Sequence, residues 1–202
     1  MKNVLKLGLT ALVLSSSAWL AGCASDGSSE SASIVTNAGP GGFYEGATMV
    51  AKVNLHPDTS RGKLYSLNYQ QPGLIPMCAE VVIKDIDEKA IEFTYFGQTY
   101  TYLWEKHTRK AGESLAENFN EFFGESCDQA AVAKLSKIDQ DGIKSGIPKV
   151  GMSKQGILFA MGRPPIHANP NLDSNTWMYW LNKFKRQAIE FNDQGIVTEV
   201  RL

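Results

Sequence analysis

The chain has 202 residues, of which 43% are hydrophobic and 20% charged, and its formal net charge at pH 7 is -1. This balance lacks the broad positive field that binding to nucleic acid requires, so we expect no nucleic-acid partner. The length suffices for one large domain or two small ones after an N-terminal targeting segment is set aside.

The N-terminal residues have the layout of a secretory signal peptide. Two lysines precede an apolar segment from Leu7 to Leu20, and the small residues Ala21 and Gly22 follow it. A basic start, a short apolar core and a small-residue exit are typical of secretory signals. Serines interrupt the apolar segment, which is shorter than the roughly 20 residues of a membrane-spanning helix. We therefore predict a signal peptide at residues 1–22.

The end of this segment, Leu20-Ala21-Gly22-Cys23, resembles the lipobox of bacterial lipoproteins. The resemblance implies that the peptide is cut before Cys23 and that this cysteine carries acyl chains such as palmitate. Two or more acyl chains anchor a protein stably to a membrane. Because Ala24 rather than Asp follows, resemblance to Gram-negative sorting rules implies the periplasmic face of the outer membrane. The alternative is an ordinary signal peptide that contains a cysteine.

Residues 23–42 are rich in Ser, Gly and Ala and contain few apolar side chains. Such a composition cannot join a hydrophobic core and is typical of a flexible tether. A coil of this length has an end-to-end span of roughly 25 Å. We expect the folded part of the chain to stand away from the membrane.

Two cysteines, Cys78 and Cys127, remain after Cys23 is assigned to lipid. In an oxidising compartment such a pair is most simply a disulfide. A reactive thiol or a metal ligand is the alternative, although no histidine stands at ligand spacing from either cysteine.

Residues 43–138 are predicted to form a small antiparallel barrel or curled sheet with two helices. Between Thr48 and Lys106, apolar residues recur at every second position, which is the period of half-buried strands. The repeats are Met49, Ala51, Val53 and Leu55; Tyr65, Leu67 and Tyr69; Ile91, Phe93 and Tyr95; and Tyr100, Tyr102 and Trp104. Short turn-forming segments between neighbouring repeats favour hairpins.

Capping signals locate the two helices of this region. Ser114 and Glu117 form a capping-box pattern ahead of a stripe of apolar residues that ends at Gly124. Asp128 is placed to cap a second helix, whose inward-facing residues we expect to be Val132, Leu135 and Ile138.

Residues 139–202 are predicted to form a compact α+β unit. Ser153 is placed to cap a short helix, Met152 and Ile157 to close a hydrophobic staple across its start, and Gly162 to end it. Three alternating segments after residue 175 predict antiparallel strands, the last two joined by a hairpin turn at residues 192–195.

This C-terminal region resembles the SmpA/OmlA (BamE-like) lipoprotein domain over roughly residues 139–202. The similarity lies in a helix start, a helix stop, an aromatic first strand and a final hairpin. The residues that carry it are Gly151, Met152, Ser153, Gly162, Pro164, Trp177, Tyr179, Phe191, Asn192, Asp193, Gly195 and Val197. Two departures are Met161, where the family has leucine, and Asp193, one residue later than usual.

The resemblance implies a fold and a set of partners. The fold is a helix followed by a three-stranded antiparallel sheet, with a further helix expected upstream. The partners are envelope proteins, among them the β-barrel assembly machinery of the outer membrane. The implied role is accessory to outer-membrane protein assembly or to envelope integrity.

Templates for catalysis are missing from the sequence. It contains no G-x-S-x-G elbow, no H-E-x-x-H, no C-x-x-C pair and no phosphate-binding loop. His56, His107 and His167 fall in predicted loops and are interpreted as surface histidines. We therefore expect no enzyme activity, cofactor or metal.

The loop of residues 163–175 is the first candidate surface for partner binding. It is long for a helix-to-strand connection and contains three prolines. The candidate partner-binding residues are Arg163, Ile166, His167 and Leu172 in the loop, with Trp177 and Trp180 in the next strand. The alternative is a loop that only packs over the edge of the sheet.

The second candidate is the basic segment Lys106 to Lys110 beside the aromatic face of Tyr100, Tyr102 and Trp104. Its partner would be anionic lipid or peptidoglycan. A solvated hairpin end is the alternative for this segment. The main hypothesis is a non-catalytic protein-interaction module. A peptidoglycan- or ligand-binding envelope module and an inhibitor of a periplasmic enzyme are the other two.

Overall fold

The computed structural model of the chain describes residues 42–202. The predicted signal peptide at residues 1–22, Cys23, and the tether as far as residue 41 lie outside the described residues. No helix within the described part is long and apolar enough to cross a membrane. The described chain has mixed α+β structure with two separate sheets, as the sequence predicts.

The larger sheet has six strands in the order β2-β5-β4-β3-β1-β6. The strands are β1 (Thr48–Ala51), β2 (Lys63–Tyr65), β3 (Glu80–Ile86), β4 (Ala90–Tyr95), β5 (Gln98–Leu103) and β6 (Phe123–Gly124). All neighbours are antiparallel except β2 and β5, which are parallel. The prediction of a wholly antiparallel sheet is wrong at this edge. Tyr65 is the last residue of β2, so the strand predicted to run on to Tyr69 is shorter.

Helix α2 (Leu115–Phe122) packs against this sheet and completes its hydrophobic core. Its capping box is present, because Glu117 N donates to Ser114 Oγ and Ser114 N donates to the Glu117 carboxylate. The buried ring of Phe119 lies 4.9 Å from that of Phe43 and 4.2 Å from that of Phe123, between centroids. The predicted apolar stripe is therefore core packing.

Three short helices differ from the sequence prediction. α1 (Lys106–Lys110) is a helix where a hairpin end is predicted. α3 (Gln129–Lys134) is capped by Asp128, but it ends before Leu135. α4 (Lys137–Ser145) follows at once and spans the predicted domain boundary at residue 139. This break exposes Ile138, which is predicted to face inward.

The smaller sheet is a three-stranded antiparallel meander. Its strands are β7 (Thr176–Trp180), β8 (Arg186–Phe191) and β9 (Val197–Arg201). α5 (Lys154–Met161) shares a hydrophobic core with this sheet. Gly151 N donates to Val197 O and Val197 N donates to Met152 O, both at 2.8 Å, so the segment before α5 covers the start of β9.

A buried carboxylate joins α4 to α5. Asp139 Oδ1 accepts from Ser153 N at 2.7 Å and from Ser153 Oγ at 3.1 Å, and Asp139 Oδ2 accepts from Ser136 Oγ at 2.6 Å. Ser153 also caps α5 as predicted, because Gly156 N donates to its hydroxyl oxygen at 3.0 Å. One hydrogen-bond network therefore fixes the starts of both helices.

The structure joins Cys78 to Cys127, the pair that the sequence predicts, with 5.3 Å between their Cα atoms. Cys78 lies just before β3, and Cys127 lies in the link between β6 and α3. The bridge therefore ties the start of the helical segment to the larger sheet.

Candidate partner-binding surface

Asn169 holds the loop of residues 163–175 against the exposed edge of β7. Its side-chain nitrogen donates to Met178 O at 2.9 Å, and Met178 N donates to Asn169 Oδ1 at 2.8 Å. The amide thus imitates one residue of a neighbouring strand. The loop does pack over the sheet edge, which was the alternative interpretation, but it also presents side chains outward.

Arg163 lies where the loop meets α2. Its Nη1 atom is 3.5 Å from Glu113 Oε1 and 3.2 Å from Glu121 Oε1. Its carbonyl oxygen accepts from Asn68 Nδ2 at 2.9 Å. These contacts hold Arg163 within the fold, so its guanidinium is already engaged by two carboxylates.

Two of the predicted binding residues belong to the hydrophobic core. Trp177 is 1% exposed, and its indole N–H donates to Leu172 O at 3.3 Å. Leu172 is partly buried and packs against the same core. Their side chains fix the end of the loop to the sheet and leave little surface for a partner.

His167 and Trp180 lie together on the surface in a row of four side chains. The His167 ring is 5.3 Å from the His107 ring and 5.1 Å from the Trp180 ring, between centroids. The Arg186 guanidinium lies 5.9 Å from the centroid of Trp180. We call His107, His167, Trp180 and Arg186 the imidazole–indole row. Trp180 and Trp177 alternate in burial along β7, as predicted for opposite faces.

The row combines the permanent positive charge of Arg186 with two imidazole rings and an indole. Partial burial, followed by the proximity of His107, lowers the pKa of His167 below its ordinary value. Imidazole rings next to an indole offer flat surface together with hydrogen-bonding nitrogens. Ile166 is half-buried beside His167 and extends the apolar part of this surface. Such a surface suits contact with another protein better than binding of an ion.

His107 and Arg186 belong to the row although the sequence did not indicate them. His107 lies on α1 and Arg186 begins β8, 60 and 19 residues away from His167 in the chain. Only the packing of α1 beside the loop brings these side chains together. The one sequence signal was the basic segment Lys106 to Lys110, which was interpreted as a hairpin end.

The surface predicted around that basic segment differs from expectation. Tyr100 and Tyr102 are buried in the core of the larger sheet. Trp104 is half-buried, its indole N–H donates to Glu113 O at 3.1 Å, and Arg109 lies over its ring at 5.6 Å. The aromatic face proposed beside Lys106–Lys110 is therefore mostly internal.

His56 is also placed differently from its prediction as a surface residue. It is 8% exposed, and its Nε2 atom lies 3.0 Å from Ala160 O. Burial lowers the pKa of His56, against smaller opposite effects of the Ala160 and Gln71 backbone. This imidazole therefore links the segment after β1 to α5.

No cluster of three or more potential metal ligands occurs among residues 42–202. Comparison of the chain with models of known families, with curated proteins and with solved structures finds no match.

Proposed function

We propose that the chain is a lipid-anchored envelope protein whose folded part acts as a non-catalytic protein-interaction module. The N-terminal pattern that ends in Cys23 supports an anchor in the outer membrane, facing the periplasm. The cystine between Cys78 and Cys127 suits an oxidising compartment.

The imidazole–indole row is the observation that carries the binding role. Aromatic side chains and arginine are enriched where proteins contact partners, and the row places Trp180 beside Arg186 on the surface. The loop that presents His167 is held by Asn169, so little conformational entropy is lost when a partner binds.

The partner we propose is an envelope protein, with the β-barrel assembly machinery as the first candidate. This assignment rests on the resemblance of residues 139–202 to the SmpA/OmlA domain. The order α4, α5 and three antiparallel strands is compatible with the layout that the resemblance implies.

Photo-crosslinking in living cells tests the binding surface. A photoreactive amino acid at His167 should form a specific crosslink to an envelope protein, identified by mass spectrometry. The matched control is the same amino acid at Phe96, which is 93% exposed on the turn between β4 and β5. Equal crosslinking from both positions, or none from His167, would contradict the proposal.

The anchor is tested separately by mass spectrometry of the mature N-terminus. We expect an acylated Cys23 as the first residue. A Cys23→Ser variant should be released from membranes in the soluble fraction, and an unacylated wild-type protein would contradict the anchoring part of the proposal.

A further inference from the structure

A groove runs along the junction of the two sheets, away from the core of either one. It consists of two adjoining cavities of about 300 and 520 Å³, and Gln71 lines both. The Gln71 side chain donates to Leu181 O, and Gln70 N donates to Trp180 O at 2.8 Å. The segment after β2 is therefore attached to the β7–β8 hairpin and forms the floor of the groove.

The smaller cavity is lined by amides and apolar side chains. Gln187 is 9% exposed, and its side-chain amide has no hydrogen-bond partner among the described residues. Gln70 Nε2 donates to Asn68 and to Met161 O, which fixes its orientation and leaves Gln70 Oε1 buried without a partner. The Gln187 amide is not among the fully buried polar atoms without a partner, so it is open to the cavity and can bond to a ligand there.

The larger cavity is lined by aromatic rings. Tyr65 and Tyr69 lie 5.1 Å apart between ring centroids, and Phe184 is 85% exposed at the end of the β7–β8 hairpin. Burial, with a smaller effect of Glu105, raises the pKa of Tyr69, so its phenol stays a neutral donor at neutral pH. Aromatic faces beside hydroxyl and amide groups suit a ligand with both C–H faces and polar edges.

The charges of the groove exclude a strongly ionic ligand. In the larger cavity Asp58 is paired with Arg61 at 3.5 Å, and Glu105 and Lys183 contribute one charge of each sign. The smaller cavity is lined by no Asp, Glu, Lys or Arg side chain, and burial favours the neutral form of its His56. The positive charges of Arg61 and Lys183 are balanced by Asp58 and Glu105, so the groove offers no net positive charge to a polyanion.

We propose that this groove binds a chain of neutral N-acetylated sugars. Sugar rings present C–H groups to aromatic faces, as Tyr65, Tyr69 and Phe184 would provide. An acetamido group has one donor and one acceptor, which complement the unpartnered amide of Gln187. The proposal does not depend on partner binding at the imidazole–indole row.

The test is calorimetric titration of the full chain, purified in a detergent without a sugar headgroup. N,N′,N″,N‴-tetraacetylchitotetraose should bind, and maltotetraose, which lacks the acetamido groups, should bind at least ten-fold more weakly. Equal affinity for the two, or no heat from the acetylated sugar at millimolar concentration, would overturn the assignment.

Two variants locate the binding in the groove. Gln187→Met keeps the side-chain length and breaks no hydrogen bond of the fold, so it should weaken chitotetraose binding at least ten-fold without loss of thermal stability. Phe184→Ser should weaken binding several-fold, whereas Phe96→Ser, which removes an exposed ring elsewhere, should have no effect. Unchanged affinity in both groove variants would overturn the proposal.

The two functional proposals can fail independently. Gln187→Met should leave the crosslink from His167 intact, because the two side chains lie on different surfaces. A short neutral peptide that binds in the groove more tightly than chitotetraose would replace the sugar assignment and overturn it.

Discussion

Gly156 is required inside a helix although glycine is a poor helix former. A Cβ atom at this position would lie 2.0 Å from Asp139 Oδ1, the oxygen that accepts from Ser153. Glycine inside a helix costs about 1 kcal/mol of stability against alanine. The structure shows that the missing side chain lets α5 approach the buried carboxylate of α4.

Gly156→Ala should therefore destabilise the protein, against the usual sign for this substitution in a helix. We expect a loss of about 2 kcal/mol, in the range found for overpacked interiors. Urea unfolding measures this loss of stability as a lower midpoint concentration. The dependence of the unfolding free energy on urea concentration should stay unchanged. Gly156→Ala should destabilise the protein less when Asp139 is already replaced by alanine. If the losses of unfolding free energy from the two substitutions simply add, the proposed clash is contradicted.

His56 gives the stability of the fold a defined dependence on pH. Because burial lowers its pKa from the ordinary value of 6.5, the folded state binds fewer protons than the unfolded state. The contribution of neutral His56 is complete above the unfolded pKa and is lost as pH falls from there towards the folded pKa.

Urea unfolding between pH 7.5 and 5 should show this loss, with a limiting slope of about 1.4 kcal/mol per pH unit for one proton. His56→Gln should flatten the profile. His167→Gln is the comparison, and it should flatten the profile less because its ring is more exposed. If His56→Gln leaves the pH dependence of the unfolding free energy unchanged, other groups cause the loss of stability at low pH.

At the scale of elements, the edge of β7 depends on one side chain. Asn169 pairs with both backbone groups of Met178, and its own amide is buried. Leucine has a similar shape but cannot pair, so Asn169→Leu leaves a donor and an acceptor of the strand without partners.

We expect Asn169→Leu to lower the free energy of unfolding by about 3 kcal/mol, since each unpaired buried group costs about 1–3 kcal/mol. Asn169→Asp keeps the acceptor for Met178 N but sets its second oxygen against the carbonyl oxygens of Pro165 and Met178, so it should also lower stability. Chemical denaturation compares the two variants, and hydrogen exchange at Met178 shows whether its amide is protected. Retained protection in Asn169→Leu would contradict this role.

Local signals were sufficient for several elements and insufficient for others. The capping box at Ser114, the N-cap at Ser153 and the strand alternation after residue 175 predict the elements that the structure contains. Only the resemblance to SmpA/OmlA implied a helix at α4, because the glycines Gly142 and Gly146 weaken the local helix signal. Gly142 lies inside the helix next to Met152, and Gly146 ends it at a φ of 65°.

Long-range contacts account for what could not be predicted. The parallel pairing of β2 with β5 depends on where the intervening chain folds, and no alternation pattern records it. The same holds for the imidazole–indole row, where His167 was predicted as a candidate and His107 was not. Side chains that meet only through tertiary packing leave no periodic signal in the sequence.

At the scale of the molecule, the disulfide constrains the part of the chain that forms most of the larger sheet. The bridge closes a sequence separation of 49 residues that contains most of the larger sheet together with α1 and α2. A closed loop of this length restricts the unfolded state and contributes about 4 kcal/mol in the chain-entropy description.

The double variant Cys78→Ser/Cys127→Ser should unfold at a lower temperature and lose about 4 kcal/mol of stability. Calorimetry measures both quantities. A thiol reductant should lower the melting temperature of the wild-type protein to near that of the variant and leave the variant unchanged. If complete reduction leaves the melting temperature of the wild-type protein unchanged, the disulfide does not make this contribution to stability.

The outer edge of β7 is covered at Met178 by Asn169, and the start of β9 is covered by the segment at Gly151 and Met152. Open strand margins invite pairing between neighbouring chains. Anchored proteins meet their own copies in two dimensions, where crowding is more severe than in bulk solution. For a chain anchored to a membrane as proposed, these covered strand edges reduce β-strand pairing between neighbouring copies.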